Sequence, residues 1–212
     1  MIKKIKKIRN RVRHTLKRWK NRVYPTPAEF DEEALIKREE FRDDYWIIAE
    51  SLSHRIDFQT VLDVGCAQGF LMIPLLEKGF NVQGIEISED VMEIVPDTLE
   101  SRITIGDFQK ASGNYDLVCC VEVAEHIEPA RSEVLVDKLC ELSNQYIYFT
   151  AAPPTQAGRG HINCRPYRHW IDWFEDRGWK LRHVVTKKIR QDLDSVNQTE
   201  WLIENSFVFS SD

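Results

Sequence analysis

Between Gln59 and Gly79 an apolar run passes through two glycines into a second apolar run, and few folds accommodate that order. Val61, Leu62 and Val64 follow with little alternation, as in a strand covered on both faces. Gly65 and Gly69 bracket a turn, and Phe70 to Leu76 continue as an apolar helix. A helix opening off a glycine turn carries unpaired N–H groups and a positive dipole end. A polar or anionic ligand group is therefore expected there.

The same alternation recurs along the chain. Asn81–Ile87, Arg102–Asp107, Tyr115–Glu122 and Gln145–Ala151 read as further strands, with an amphipathic helix over Arg131–Leu142. Alternating strands and helices predict a parallel sheet covered on both sides, with ligands at the strands' carboxyl ends. Gly65, Glu86, Asp107 and Glu122 all fall at such ends. A helix is expected over Tyr167–Asp176. Trp179–Lys187 and Glu200–Phe209 then read as two closing strands, joined by a polar loop over Lys188–Thr199. Upstream, Thr26-Pro-Ala-Glu29 is a capping box with proline at the first helical position. Phe30, Ala34, Phe41, Tyr45, Ile48, Leu52 and Ile56 mark one or two amphipathic helices after it.

A dinucleotide fingerprint needs glycines where this chain has Ala67 and Phe70, so G-x-G-x-x-G fails. The pattern D-x-G-x-x-x-G from Asp63 resembles instead the first motif of class I S-adenosylmethionine-dependent methyltransferases, which prefer a glycine at the place of Ala67. The resemblance runs from about Thr60 to the C-terminus. It implies a Rossmann-like, doubly wound mixed α/β sheet of seven strands with an antiparallel last strand, preceded by N-terminal helices that either lid the cofactor and shape the acceptor pocket or simply pack. It also implies S-adenosylmethionine as cofactor, gripped by Asp63, Gly65, Cys66, Ala67, Gly69 and Phe70 in the first turn. Glu86 and Ile87 would meet the ribose, where one carboxylate can accept from two vicinal hydroxyls. Asp107 would accept from the adenine amine with Phe108 over the ring, and Glu122 would close the set.

The E-x-x-E-H segment (Glu122, Glu125, His126) and the G-H-x-N loop (Gly160 to Asn163) resemble small-molecule methyltransferases of the ubiquinone-pathway and glycan type. Three readings stand. Glu122, Glu125, His126 and His161 hold a divalent cation, Mg²⁺ or Mn²⁺; His161 or His126 is a general base; or the segment caps a helix and touches the cofactor. Nearby, Arg159, Arg165, Tyr167 and Trp170 are candidates for recognising an acidic or sugar-like acceptor.

Charge adds one feature the motifs do not. The net charge of −5 conceals eleven Lys or Arg and no acid within residues 1–23, leaving the remainder at −16. Ile2, Ile5, Ile8, Val12, Leu16, Trp19 and Val23 recur every three or four residues. Residues 1–25 therefore read as a basic amphipathic arm suited to an anionic membrane surface, ahead of a methyltransferase domain over 26–212. Docking on the acidic body or on a second copy, and contact with nucleic-acid phosphates, are the alternatives for the arm. Five cysteines without C-x-x-C spacing suit reduced thiols in a cytoplasmic protein, peripheral at a membrane if the arm binds one. The expected activity is methyl transfer to a small metabolite or sugar, at oxygen. RNA methylation and a non-catalytic cofactor-binding partner protein are the competing expectations.

Overall fold

The computed structural model describes residues 39–211. The basic arm and the capping box at Thr26–Glu29 lie outside the described residues. A 3₁₀ turn, Glu39–Phe41, leads into helix α1 (Arg42–Arg55), followed by strand β1 (Thr60–Val64), helix α2 (Met72–Glu77) and strand β2 (Asn81–Glu86). Helix α3 (Asp97–Glu100) precedes β3 (Ile103–Ile105), and β4 (Tyr115–Cys120) precedes α4 (Ser132–Leu142) and β5 (Ser143–Thr150). The chain ends with α5 (Tyr167–Asp176), β6 (Lys180–Leu181), α6 (His183–Asp192), α7 (Trp201–Asn205) and β7 (Ser206–Ser210).

The seven strands form one sheet in the order β3-β2-β1-β4-β5-β7-β6. The pairings β1–β2, β1–β4, β2–β3 and β4–β5 are parallel, whereas β7 runs antiparallel to both β5 and β6. The doubly wound sheet with an antiparallel last strand is thus as expected. Its chain order reverses between β1 and β4, which opens a crevice at their carboxyl ends.

Strand periodicity decides what packs on each face. Val61 of β1 with Leu117 and Cys119 of β4 face α1, α2 and α6, where Ile48, Leu52, Leu75 and Ile189 are buried. Leu62, Val64, Val118 and Cys120 face the other layer, where Leu135, Leu139, Trp170 and Phe174 of α4 and α5 are buried. Cys119 and Cys120 are wholly buried thiols, their pKa pushed well up by burial. They serve as core residues.

Two sequence expectations fail at the C-terminal end. Strand β6 is only Lys180–Leu181, and the residues read as its continuation form α6. The β-branched pair Val184-Val185 imitates a strand, but Val185, Ile189 and Leu193 also recur at helical spacing and pack with Ile48 and Leu52. Tertiary packing selects the helix. Likewise Glu200–Asn205 is not strand: Trp201–Asn205 is a short helix, and only Ser206–Ser210 pairs. Among the described residues no helix is long and apolar enough to cross a membrane.

Candidate functional site

The carboxyl ends of β1 to β4 open onto one cavity of about 550 Å³. Gly65, Glu86, Asp107 and Glu122, far apart in sequence, all line it, as do Asp63, Cys66, Ala67, Phe70, Ile87 and Phe108. Gly69 is not in the wall, and a Cβ there would lie 2.3 Å from Leu99 Cδ1.

The turn after β1 is built for close approach. Gly65 has φ +76°, and a Cβ on it would sit 2.4 Å from Val123 Cγ2. Ala67 is itself left-handed, with φ 44°, which explains why related turns prefer glycine at this place. The N–H groups of Gly65 and Cys66 both bond Ile85 O, at 2.8 and 3.3 Å. Ala67 N–H donates to Glu86 Oε2 and Ser88 N–H to Glu86 Oε1, each at 2.9 Å. Two backbone donors therefore fix the orientation of a nearly buried carboxylate. Beneath it Asp63 is only 4% exposed. Burial, and secondarily the charge of Glu86, push its pKa up to about 7. The helix differs from expectation: α2 starts at Met72, and Ile73 N–H bonds Gly69 O. The wall here is carboxylate-rich, so it favours cationic and hydroxyl groups over an anion at a helix end.

Across the cavity, Asp107 accepts from Gln109 N–H at 3.0 Å, and Arg131 Nη2 lies 2.7 Å from both of its oxygens. The Arg131 guanidinium also stands 4.6 Å from the Phe108 ring centroid. No sequence motif flagged Arg131; the register of the loop before α4 brings it there. Ile87 remains 64% exposed at the rim.

The other end of the cavity carries the E-x-x-E-H segment. It forms a turn rather than a helix. Glu122 has φ 56°, a strained conformation for a side chain of its kind. Its N–H donates to Thr150 Oγ1 at 2.8 Å, and the Thr150 hydroxyl donates back to Oε1 at 2.9 Å. Its Oε2 accepts from Trp201 Nε1 at 2.8 Å. Burial raises the Glu122 pKa, partly offset by these two donors. Glu125 lies behind the wall, fully buried. One oxygen accepts from Ala152 N–H at 3.3 Å and the other has no hydrogen-bond partner. Burial first, then the charge of Glu122, raise Glu125 to about 8.

The imidazoles of His126 and His161 meet edge to face, 4.9 Å between centroids. His126 Nδ1 lies 3.1 Å from Gly160 O and His161 Nδ1 lies 3.2 Å from Gln156 O. Each carbonyl fixes the tautomer with hydrogen on Nδ1, leaving Nε2 as the basic nitrogen. Asn163 ties the two loops together, its amide donating to Ala124 O and Ser132 Oγ at 2.9 Å each. Ligand atoms of Glu125, His126 and His161 lie within 4.8 Å of one another. Glu122, the fourth residue of the expected ligand set, is not part of that group; its oxygens accept from the Thr150 hydroxyl and the Trp201 N–H.

Of the candidate acceptor contacts, Arg159 lines the cavity. Trp170 is instead wholly buried in the core, Tyr167 donates to Asn205 Oδ1, and Arg165 donates to Asn163 Oδ1 and Pro129 O. Phe41 from the 3₁₀ turn and Tyr45 from α1, and Thr199, Trp201 and Leu202 from the segment before β7, complete the wall. Sequence periodicity marked the first two as amphipathic packing residues, and the resemblance implied a share in the acceptor pocket for their segment. Periodicity missed the last three by reading their segment as loop and strand.

A family model described as "Methyltransferase domain" matches residues 9–184. The chain is similar to magnesium-protoporphyrin O-methyltransferase of Synechocystis sp., 26% identical over 118 residues, covering 52% of this chain and 50% of that protein. It is also similar to the ubiquinone biosynthesis O-methyltransferase of Rickettsia canadensis, 33% identical over 99 residues and 42% of each. The aligned region thus spans half or less of these curated relatives. Among solved structures, magnesium protoporphyrin IX methyltransferase from Synechocystis PCC 6803 with bound SAH superposes with a TM-score of 0.61. That match covers 93% of both chains at 17% identity, which supports the shared fold.

Proposed function

The chain belongs to the family of methyltransferase domains, and from that premise we propose that it transfers the methyl group of S-adenosylmethionine to a hydroxyl oxygen of a small molecule. The observation that carries this reading is the convergence of Asp63, Glu86, Asp107 and Glu122 on one cavity with two histidines at its far end. The cofactor brings a sulfonium, an ammonium, a vicinal diol and an exocyclic amine. Each is a cation or a donor, and the wall supplies carboxylates.

In this reading Asp63 faces the ammonium of the amino-acid end, a positive group that relieves its desolvation. Glu86, already oriented by Ala67 and Ser88, takes the ribose hydroxyls through its remaining lone pairs. Asp107 and Phe108 hold the adenine, with Arg131 setting their geometry. A sulfonium methyl carbon is electrophilic without further activation, so the protein's share is alignment, dryness and removal of one proton. His161 Nε2 is the proposed acceptor of the hydroxyl proton, with His126 beside it as the second basic nitrogen.

A second reading has its own observation, the grouping of Glu125, His126 and His161. A buried carboxylate oxygen without a partner and two imidazoles fit a divalent cation with some nitrogen affinity, nearer Mn²⁺ or zinc than Mg²⁺. Such an ion would lower the pKa of the acceptor hydroxyl.

Calorimetry with S-adenosylhomocysteine, followed by transfer of labelled methyl into a metabolite extract, tests the proposal. Saturable uptake and labelling of a small-molecule fraction are expected. A folded protein that takes up no S-adenosylhomocysteine refutes it. Chelation that abolishes turnover while cofactor uptake persists selects the metal reading over the imidazole base.

A further inference from the structure

Residues 182–205, between β6 and β7, do more than connect two strands. They place Thr199, Trp201 and Leu202 in the cavity wall, and two anchors hold that placement. The first is Asp44 of α1, only 1% exposed. Its carboxylate accepts from the N–H groups of Asn197, Gln198 and Thr199 at 2.8–2.9 Å and from the Thr199 hydroxyl at 3.0 Å. Four donors on one buried carboxylate fix the backbone two residues before the indole. The second anchor is Glu122, whose Oε2 holds the Trp201 N–H. Phe41 adds an edge-to-face contact to the indole, 5.7 Å between centroids at 84°.

Trp201 is nevertheless 36% exposed. A tryptophan that only completed a core would bury its face. This one lines the cavity while its N–H is held by Glu122 and its ring meets Phe41, and the turn that supplies one anchor carries backbone strain at Glu122. Rigid aromatic surface beside a few oriented polar groups is the usual construction of a small-molecule subsite. Tyr45 and Phe70, 6.0 Å apart between centroids, continue the aromatic lining.

Taking the methyltransferase reading as its basis, we infer that Trp201 is the stacking face of the acceptor subsite and that Asp44 is its positioning residue. The acceptor this fits is a hydroxylated ring with one flat, apolar face, which lies on the indole and turns its hydroxyl toward His161. A phenolic ring and the C–H face of a sugar share that chemistry.

The test is calorimetry on protein saturated with S-adenosylhomocysteine, titrated with catechol in one arm and a methyl glycoside in the other. Binding in either arm is expected, and the arm that responds identifies the source of the ring. Trp201→Ala is expected to weaken that binding about tenfold, and Trp201→Phe, which keeps a ring, by about threefold. Asp44→Asn is expected to fall between them. S-adenosylhomocysteine uptake and the cooperative unfolding transition report separately on the cofactor site and the fold. Loss of S-adenosylhomocysteine uptake in the wild type would defeat the methyltransferase reading itself. With that uptake intact, absence of ring binding in both arms, or equal binding by Trp201→Ala and wild type, would overturn the inference. If Asp44→Asn binds the ring as tightly as wild type, the positioning role is overturned.

Discussion

Asp63 occupies the central strand β1, paired on both sides through Gly84 and Cys119, and its carboxyl is buried beside Glu86. Its pKa moves from 3.8 to about 7 with burial as the main cause. In the unfolded chain it ionises near 4. Below that pH both states are protonated and Asp63 imposes no penalty. Between pH 4 and 7 the unfolded state sheds the proton first, so stability falls as pH rises, and above 7 the loss is complete. Three units at 1.36 kcal/mol each set a ceiling of about 4 kcal/mol. In Asp63→Asn the amide needs partners of its own, so a net gain of about 1–3 kcal/mol is expected at pH 8. For a chain of this size that raises the unfolding temperature by about 3–9 °C. The measurement is urea unfolding of wild type and variant, without ligand, from pH 4 to pH 8. The variant should be the less stable near pH 4, by the cost of its amide, and the more stable towards pH 8, so that the two curves cross between. S-adenosylmethionine affinity should show the opposite ranking at pH 8, since the variant lacks the charge that faces the cation. Parallel stability curves across the whole range would refute the assignment of this buried charge.

Other perturbations address neighbouring parts of the site. Gly65→Ala places a Cβ against Val123 in a left-handed turn; thermal unfolding should show a loss of about 2 kcal/mol, partly restored by adding Val123→Ala. Arg131→Ala releases the Asp107 carboxylate and uncovers Phe108. S-adenosylhomocysteine should then bind about 3–10-fold more weakly by calorimetry, with little change in unfolding because the ion pair is partly exposed. Gly158→Ala would drive a methyl group to 2.3 Å from His161 Nε2. We expect turnover to fall about tenfold or more while cofactor affinity holds, a split visible in kcat against cofactor Kd.

The sequence by itself determined the layered architecture and the rim of the cavity. Apolar strand runs, glycines bracketing one turn and acids closing successive strands are local signals, and parallel connection brings strand ends to one edge of the sheet. Gly65, Glu86, Asp107 and Glu122 could therefore be placed before any coordinates. Tertiary structure decided what depends on long-range packing. Whether Val184-Val185 belongs to a strand or a helix was settled by Ile48 and Leu52 across the core. The position of Trp201 followed from Asp44, 157 residues earlier in the chain, whose carboxylate gathers three backbone donors that no spacing rule links to it. Arg131 reached Asp107, and Glu125 joined the two histidines while Glu122 turned towards Thr150 and Trp201, for the same reason. Local periodicity specifies which face a residue shows; only the folded chain specifies which partner it meets there.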